Sequence, residues 1–185
     1  MKIFCWVLSL LTFVFICCHP SSGQQANSLV KRVIIIRHGE KPNEGDNLSC
    51  RGLNRSLQLP KVLNQKFGVP NYVFVPSINT GKKTSTARMY QTIVPFAVKY
   101  NLNINSKYDV DDVEGLVKEI YKRSGTVLLV WEHDHIDNIA KKLGVHDVSK
   151  WPGDDFDSIW IIDFEDGKPR LTHDKEGINP SADCQ

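Results

Sequence analysis

Two short apolar runs constrain this chain more than any other feature. Val33-Ile34-Ile35-Ile36 and Thr126 to Trp131 (TVLLVW) are continuous rather than alternating. A strand with one face in water alternates apolar and polar residues, whereas a continuous β-branched run suits a strand buried on both faces of a parallel sheet. Parallel neighbours cannot be joined by a tight turn and need a crossover, usually a helix. The intervening segments have helical spacing. Ser49 can cap a helix reaching about Phe67, with Leu53, Leu57, Val62 and Leu63 pointing inward and Pro60 ending or kinking it. Tyr72 to Val75 reads as a second strand, followed by a helix from about Thr84 to Tyr100 that contains Pro95. Residues 103–106 suggest a short strand, and Asp109 is expected to cap a helix through Arg123 carrying Val113, Leu116, Val117 and Ile120. A helix from His135 to Leu143 should stop at Gly144. Ser158 to Asp163, the Asp166-Gly167 turn and Arg170 to Thr172 suggest a terminal hairpin. The alternation predicts an α/β fold, a three-layer α/β/α sandwich whose central sheet is mainly parallel with an antiparallel edge.

Length and composition narrow the function. A chain of 185 residues, 41% hydrophobic and 24% charged, accommodates one domain and is not a disordered or fibrous composition. Its 23 Lys+Arg against 21 Asp+Glu leave a formal charge of +2, without the basic excess expected of a nucleic-acid binder. Residues 1–23 read as a secretory signal peptide: Lys2, an apolar run from Ile3 to Cys18, then Ser21-Ser22-Gly23. The 16-residue run is shorter than the ~20 residues of a membrane-spanning helix, so cleavage with no stable membrane insertion afterwards is expected, a retained signal anchor being the alternative. Residues 24–185 form the single expected domain, secreted or lumenal. Cys5, Cys17 and Cys18 leave with the signal, and the two cysteines that remain, Cys50 and Cys184, are predicted to pair, with two free thiols as the alternative. Asn47-Leu48-Ser49 and Asn54-Arg55-Ser56 are N-glycosylation patterns, Asn54 the weaker because it can lie on a helix.

Three segments that carry chemistry collect where strands end, which is where open parallel sheets bind ligands. Arg37-His38-Gly39-Glu40 follows the first run, Glu132-His133-Asp134-His135 follows TVLLVW, and Ser85 to Thr92 (STARMYQT) follows the Tyr72 strand. Two arginines and two histidines in one pocket suit a phosphoryl group: guanidinium forks hold its oxygens and a neutral imidazole can attack phosphorus. A metal at His133, Asp134 and His135 is disfavoured, because neighbours on a strand-to-helix turn diverge. His135, His146 and His173 read as helix-start or surface residues, and Trp131, Trp151 and Trp160 as packing.

These motifs resemble those of the histidine phosphatase superfamily, the phosphoglycerate-mutase-like fold. Arg37-His38-Gly39 looks like its signature, Leu48-Ser49-Cys50-Arg51-Gly52 is similar to the Leu-Thr-x-x-Gly segment, and Ser85 with Arg88 and Gln91-Thr92 resembles its Ser…Arg-x-x-Gln-Thr helix. His133 falls where the second catalytic histidine belongs. The resemblance spans roughly residues 32 to 145. It implies that His38 becomes a phosphohistidine, that Arg37, Arg88 and His133 bind the phosphoryl oxygens, and that no metal or other cofactor is required. It also suggests Asp134, placed directly after the second histidine, as the general acid, with Glu40 as second choice. Asp109, Asp111, Asp112 and Glu114 read instead as a helix N-terminus. Two departures stand out: Arg55 replaces a residue often Gln, and Glu132 replaces a small one and is expected to raise the pKa of His133 or to narrow the pocket. The function implied is a secreted phosphomonoesterase acting on a small phosphorylated molecule. The alternative is a weakly active or inactive secreted protein of the same fold that binds phosphate or other anions. The loops Lys41–Asn47, Asn79–Lys83 and Lys150–Asp157 should shape the pocket, and Lys41, Lys82 and Lys83 read as solvated.

Overall fold

A computed structural model describes residues 30–79 and 86–184. The expected signal peptide, Ser85, Lys82 and Lys83 lie outside these residues. Among the described residues the order is β1 (Val30–Arg37), α1 (Cys50–Phe67), β2 (Tyr72–Phe74), α2 (Ala87–Tyr100), β3 (Ile104–Asn105), α3 (Val113–Ile120), β4 (Gly125–Trp131), α4 (His133–Lys142), β5 (Ser158–Glu165) and β6 (Lys168–Lys175). One six-stranded sheet runs β3-β2-β4-β1-β5-β6. The first four of these strands are parallel, and the β5–β6 hairpin adds the antiparallel edge.

The continuous runs lie at the centre because both faces of the sheet are covered. Val33 and Ile35 of β1, with Val127, Leu129 and Trp131 of β4, pack against α3 and α4. Ile34 and Ile36, with Leu128 and Val130, pack against α1 and α2 through Leu59, Leu63, Met89, Ile93 and Phe96. Strand alternation therefore feeds two separate cores, and the expected three layers are present.

The topology also sets the site. β1 and β4 are neighbours, yet the chain leaves β1 toward the α1 face and leaves β4 toward the α4 face. A crevice opens where neighbouring strands send their connections to opposite faces. Arg37 pairs with Trp131 at the ends of these two strands, and the His38 amide donates to the Trp131 carbonyl at 3.2 Å.

Several local expectations need correction. Ser49 caps α1 as expected, accepting from the Gly52 amide. The helix nevertheless turns Leu53 and Leu57 to solvent, Leu57 being 59% exposed, and buries Gly52, Asn54, Arg55, Ser56 and Leu59 instead. Its inner face is polar near the site and apolar only further along, so hydrophobicity misread the rotation. Pro60 neither ends nor breaks α1, which continues to Phe67; buried, it accepts the Tyr100 hydroxyl at its carbonyl, so tertiary packing offsets its missing amide. α3 begins four residues after Asp109. Asp112, not Asp109, caps it by accepting from the Gly115 amide, and α3 ends at Ile120. α4 begins at His133, two residues earlier than expected.

The C-terminal segment folds back over α1. Cys50 and Cys184 are joined in a disulfide across Cα atoms 4.8 Å apart. Asn54 Nδ2 donates to the Ser181 and Asp183 carbonyls at 3.0 and 2.8 Å. Both of its N–H groups hold the tail, and the side chain that carries the second glycosylation pattern is buried. Asn47, by contrast, lies exposed in a loop.

Candidate active site

His38 follows β1 directly and is 2% exposed. Its Nδ1 lies 2.7 Å from the Gly39 carbonyl oxygen. A carbonyl only accepts, so Nδ1 carries the proton and Nε2 the lone pair. Burial, with smaller contributions from Arg37, Arg88 and His133, pulls the imidazole pKa down to about 3, against the bond to Gly39. His38 is therefore neutral across the physiological range. Arg37, Arg88 and His133, the residues expected to meet His38, all lie close enough to couple to its imidazole.

Arg37 is 2% exposed. Its Nη1 donates to the carbonyls of Gly153 and Asp155 at 2.7 and 3.3 Å, and its guanidinium carbon lies 3.8 Å from the centre of the Phe156 ring. The Lys150–Asp157 loop thus borders the site as expected. Phe156, whose ring also meets His38 edge-on at 6.0 Å, had no signal in the sequence beyond its place in that loop. Trp151 packs on Trp160 at 5.1 Å and donates to the Asp155 carbonyl, which fits the packing role expected for it. Burial lowers the Arg37 pKa from its ordinary value, opposed by Asp134, Asp155, Glu132 and Asp154.

Arg88 stands in the first turn of α2 and His133 is the first residue of α4, so both occupy helix ends where partial positive charge accumulates. Arg88 Nη1 reaches the Gly45 carbonyl at 3.4 Å. Among the described residues, Arg37 Nε, Arg88 Nε and His133 Nδ1 are buried without a hydrogen-bond partner. Buried polar groups normally have one, so these three atoms, on residues that couple to one imidazole, are available to a ligand. Glu132 pushes the His133 pKa up as expected, as does Asp134, but burial and then Arg37 outweigh them and the net shift is downward.

Asp134 and Glu40 differ sharply in surroundings. The Asp134 side chain is 74% exposed, with Oδ1 3.4 Å from His133 Nε2. Glu40 is gripped by Arg55, Nε donating to Oε2 at 3.0 Å and Nη2 to Oε1 at 2.8 Å. The Gln91-Thr92 pair also has an evident task. Thr92 Oγ1 accepts from the Gly39 amide at 2.9 Å, while Gln91 accepts from the Leu48 amide at 3.0 Å and donates to Asn47 Oδ1 at 2.6 Å. Gly39 has no room for a side chain, because a Cβ there would meet the Gly52 carbonyl oxygen at 2.9 Å.

The architecture is similar to that of solved phosphatases. The protein histidine phosphatase SixA, solved with tungstate, matches with a TM-score of 0.60 at 16% identity, over 78% of this chain and 97% of that one. A mycobacterial glucosyl-3-phosphoglycerate phosphatase with inorganic phosphate matches at 0.57 and 16%, over 78% and 95%. A mutant phosphoserine phosphatase from Entamoeba histolytica with phosphoserine matches at 0.54 and 12%, over 79% and 96%. These neighbours belong to the histidine phosphatase superfamily, and the chain has their fold. No protein-family model and no curated protein matches it.

Proposed function

We propose that the chain is a phosphomonoesterase that works through a phosphohistidine on His38. The observation that carries this reading is the set of buried, unpartnered polar atoms on Arg37, Arg88 and His133 around a neutral imidazole. The His38 Nε2 lone pair attacks phosphorus, and the bond from phosphorus to the leaving oxygen breaks. Arg37, Arg88 and His133 hold the equatorial oxygens as charge spreads onto them. Asp134, beside His133 and open to solvent, gives its proton to the leaving oxygen and then takes one from the water that cleaves the P–N bond. Glu40 is less suited to that role, since both its oxygens accept from Arg55. No metal or cofactor enters this scheme, and the substrate is a small phosphorylated molecule.

The protein acts outside the cytosol in this reading. Support comes from the leader-like residues 1–23 and from the Cys50–Cys184 bond, which suits an oxidising compartment. Asn47 is the acceptor for any N-linked glycan.

Turnover of a generic aryl phosphate by the purified protein and by His38→Ala, between pH 4 and 8, tests the activity. Acid-labile phosphate on the wild-type chain, absent from the variant, is the expected companion result. No His38-dependent turnover, with phosphate binding retained, would replace this reading by that of an anion-binding protein of the same fold.

A further inference from the structure

Arg55 lies on α1 with its side chain 5% exposed, between the acidic side chains of Glu40 and Glu176. One edge of its guanidinium holds Glu40 through two bonds, while Nη1 donates to Glu176 Oε2 at 2.5 Å and Nη2 to the Ile178 carbonyl at 3.4 Å. Glu176 is fully buried, and its other oxygen has no partner among the described residues. Such a group is an expensive way to stabilise a fold, because desolvation offsets most of the attraction. Orientation is the more economical explanation.

The geometry points to a positioning role: Arg55 suspends the His38–Gly39–Glu40 turn from the C-terminal segment 176–184, and so aims the nucleophile that the proposed phosphatase reading requires. The link is short. The carbonyl that accepts from His38 Nδ1 belongs to the Gly39–Glu40 peptide, so a displacement of Glu40 tilts the acceptor that orients the imidazole. Gly39 is already jammed against α1 at Gly52, one turn before Arg55, and the Glu40 carbonyl accepts from the Ser49 amide at 2.9 Å. The tail end of the link is equally fixed. The Glu176 amide donates to the Asp157 carbonyl at 2.7 Å, the Gly177 amide to Asp157 Oδ1 at 2.8 Å, and Cys184 is bonded to Cys50. Asp157 closes the loop that covers Arg37, so segment 176–178 joins both walls of the site.

The test compares Arg55→Lys, Glu176→Ala and Glu176→Gln in the purified protein. Steady-state kinetics on an aryl phosphate would be combined with the imidazole ¹⁵N resonances of His38. Lysine keeps the charge but cannot fork between Glu40 and Glu176. A misaimed nucleophile costs on the order of 10- to 100-fold in kcat. Arg55→Lys should show that loss with KM within about twofold, together with shifted His38 ring resonances, and Glu176→Gln should restore most of what Glu176→Ala loses. A folded Arg55→Lys with wild-type kcat overturns the inference, as does a Gln no better than Ala at position 176. If the wild type has no His38-dependent turnover, the phosphatase reading fails by itself. The His38 resonances then decide the positioning claim, which is overturned if they are unchanged in Arg55→Lys.

Discussion

The His38 imidazole donates from Nδ1 to the carbonyl of its own neighbour, Gly39, at 2.7 Å, and this one contact leaves the lone pair on Nε2, the nitrogen of the proposed attack. Because burial keeps the ring neutral down to about pH 3, protonation of the proposed nucleophile should not limit turnover in mildly acid solution. After correction for ionisation of the substrate phosphate, kcat/KM is expected to hold down to pH 5. A fall with an apparent pKa near 6.5, the ordinary histidine value, would show that the imidazole is not held as described.

Gly39 and Gly52 touch where the turn after His38 meets α1. A Cβ on Gly39 would lie 2.9 Å from the Gly52 carbonyl oxygen and 3.0 Å from its Cα, and neither atom belongs to a side chain that can swing aside. Gly39→Ala should therefore part the turn from the helix, lowering kcat by about 100-fold for a displacement of about 1 Å. Kinetics alongside a circular-dichroism melt would check this. Wild-type kcat in a folded Gly39→Ala protein would contradict the packing argument.

How much of this could be read from the sequence depended on whether a residue's role was local. The continuous runs at 33–36 and 126–131 declared buried parallel strands, and Arg37, His38, Arg88 and His133 stood at element ends where chemistry collects. α1 was misread at its N-terminal half because its inner face serves the site, burying Asn54 and Arg55 where an apolar pattern would place leucines. Glu176 and Phe156 were missed for another reason. Each matters only through partners more than a hundred residues away, Arg55 and Arg37, and no spacing rule reports such a contact.

Two buried groups give stability opposite dependences on pH. His38 titrates near 6.5 when unfolded and about 3 when folded, so the unfolded chain binds more protons in that window and stability falls as pH drops through it. Glu176, faced by Arg55, Glu40 and Asp157, is raised by burial from 4.5 to about 8. The folded chain holds the extra proton, and stability falls as pH rises from about 4.5 to 8. Glu176→Gln, which cannot ionise, should lose less of its melting temperature than wild type between pH 6 and 8.5. Equal losses would remove Glu176 as the cause.

The Cys50–Cys184 bond closes a loop spanning 134 positions. Chain-entropy arguments give such a crosslink about 5 kcal/mol at most, by restricting the unfolded state. Cys184→Ser is expected to lower the melting temperature by up to about 10–20 °C, on the basis of roughly 2–4 °C per kcal/mol for a chain of this size. Its kcat should fall as well, because the freed tail carries Glu176. Thermal unfolding with and without reductant measures the first effect, and a midpoint indifferent to reductant would mean that the bond does not form.

Phe156 has the most direct consequence for binding. Its ring lies 3.8 Å from the Arg37 guanidinium carbon, while the Gly153 and Asp155 carbonyls occupy Nη1. The loop therefore fixes the plane of the guanidinium and leaves the buried Nε side unpartnered, where the proposed reaction would place a phosphoryl oxygen. A cation–π contact of this kind contributes about 1–2 kcal/mol when shielded from water. Phe156→Ala should accordingly raise KM and the inhibition constant of inorganic phosphate by roughly 5- to 30-fold. Phe156→Tyr keeps the ring and should stay close to wild type. If phosphate inhibits Phe156→Ala as tightly as it does the wild type, Arg37 does not depend on the ring for its orientation.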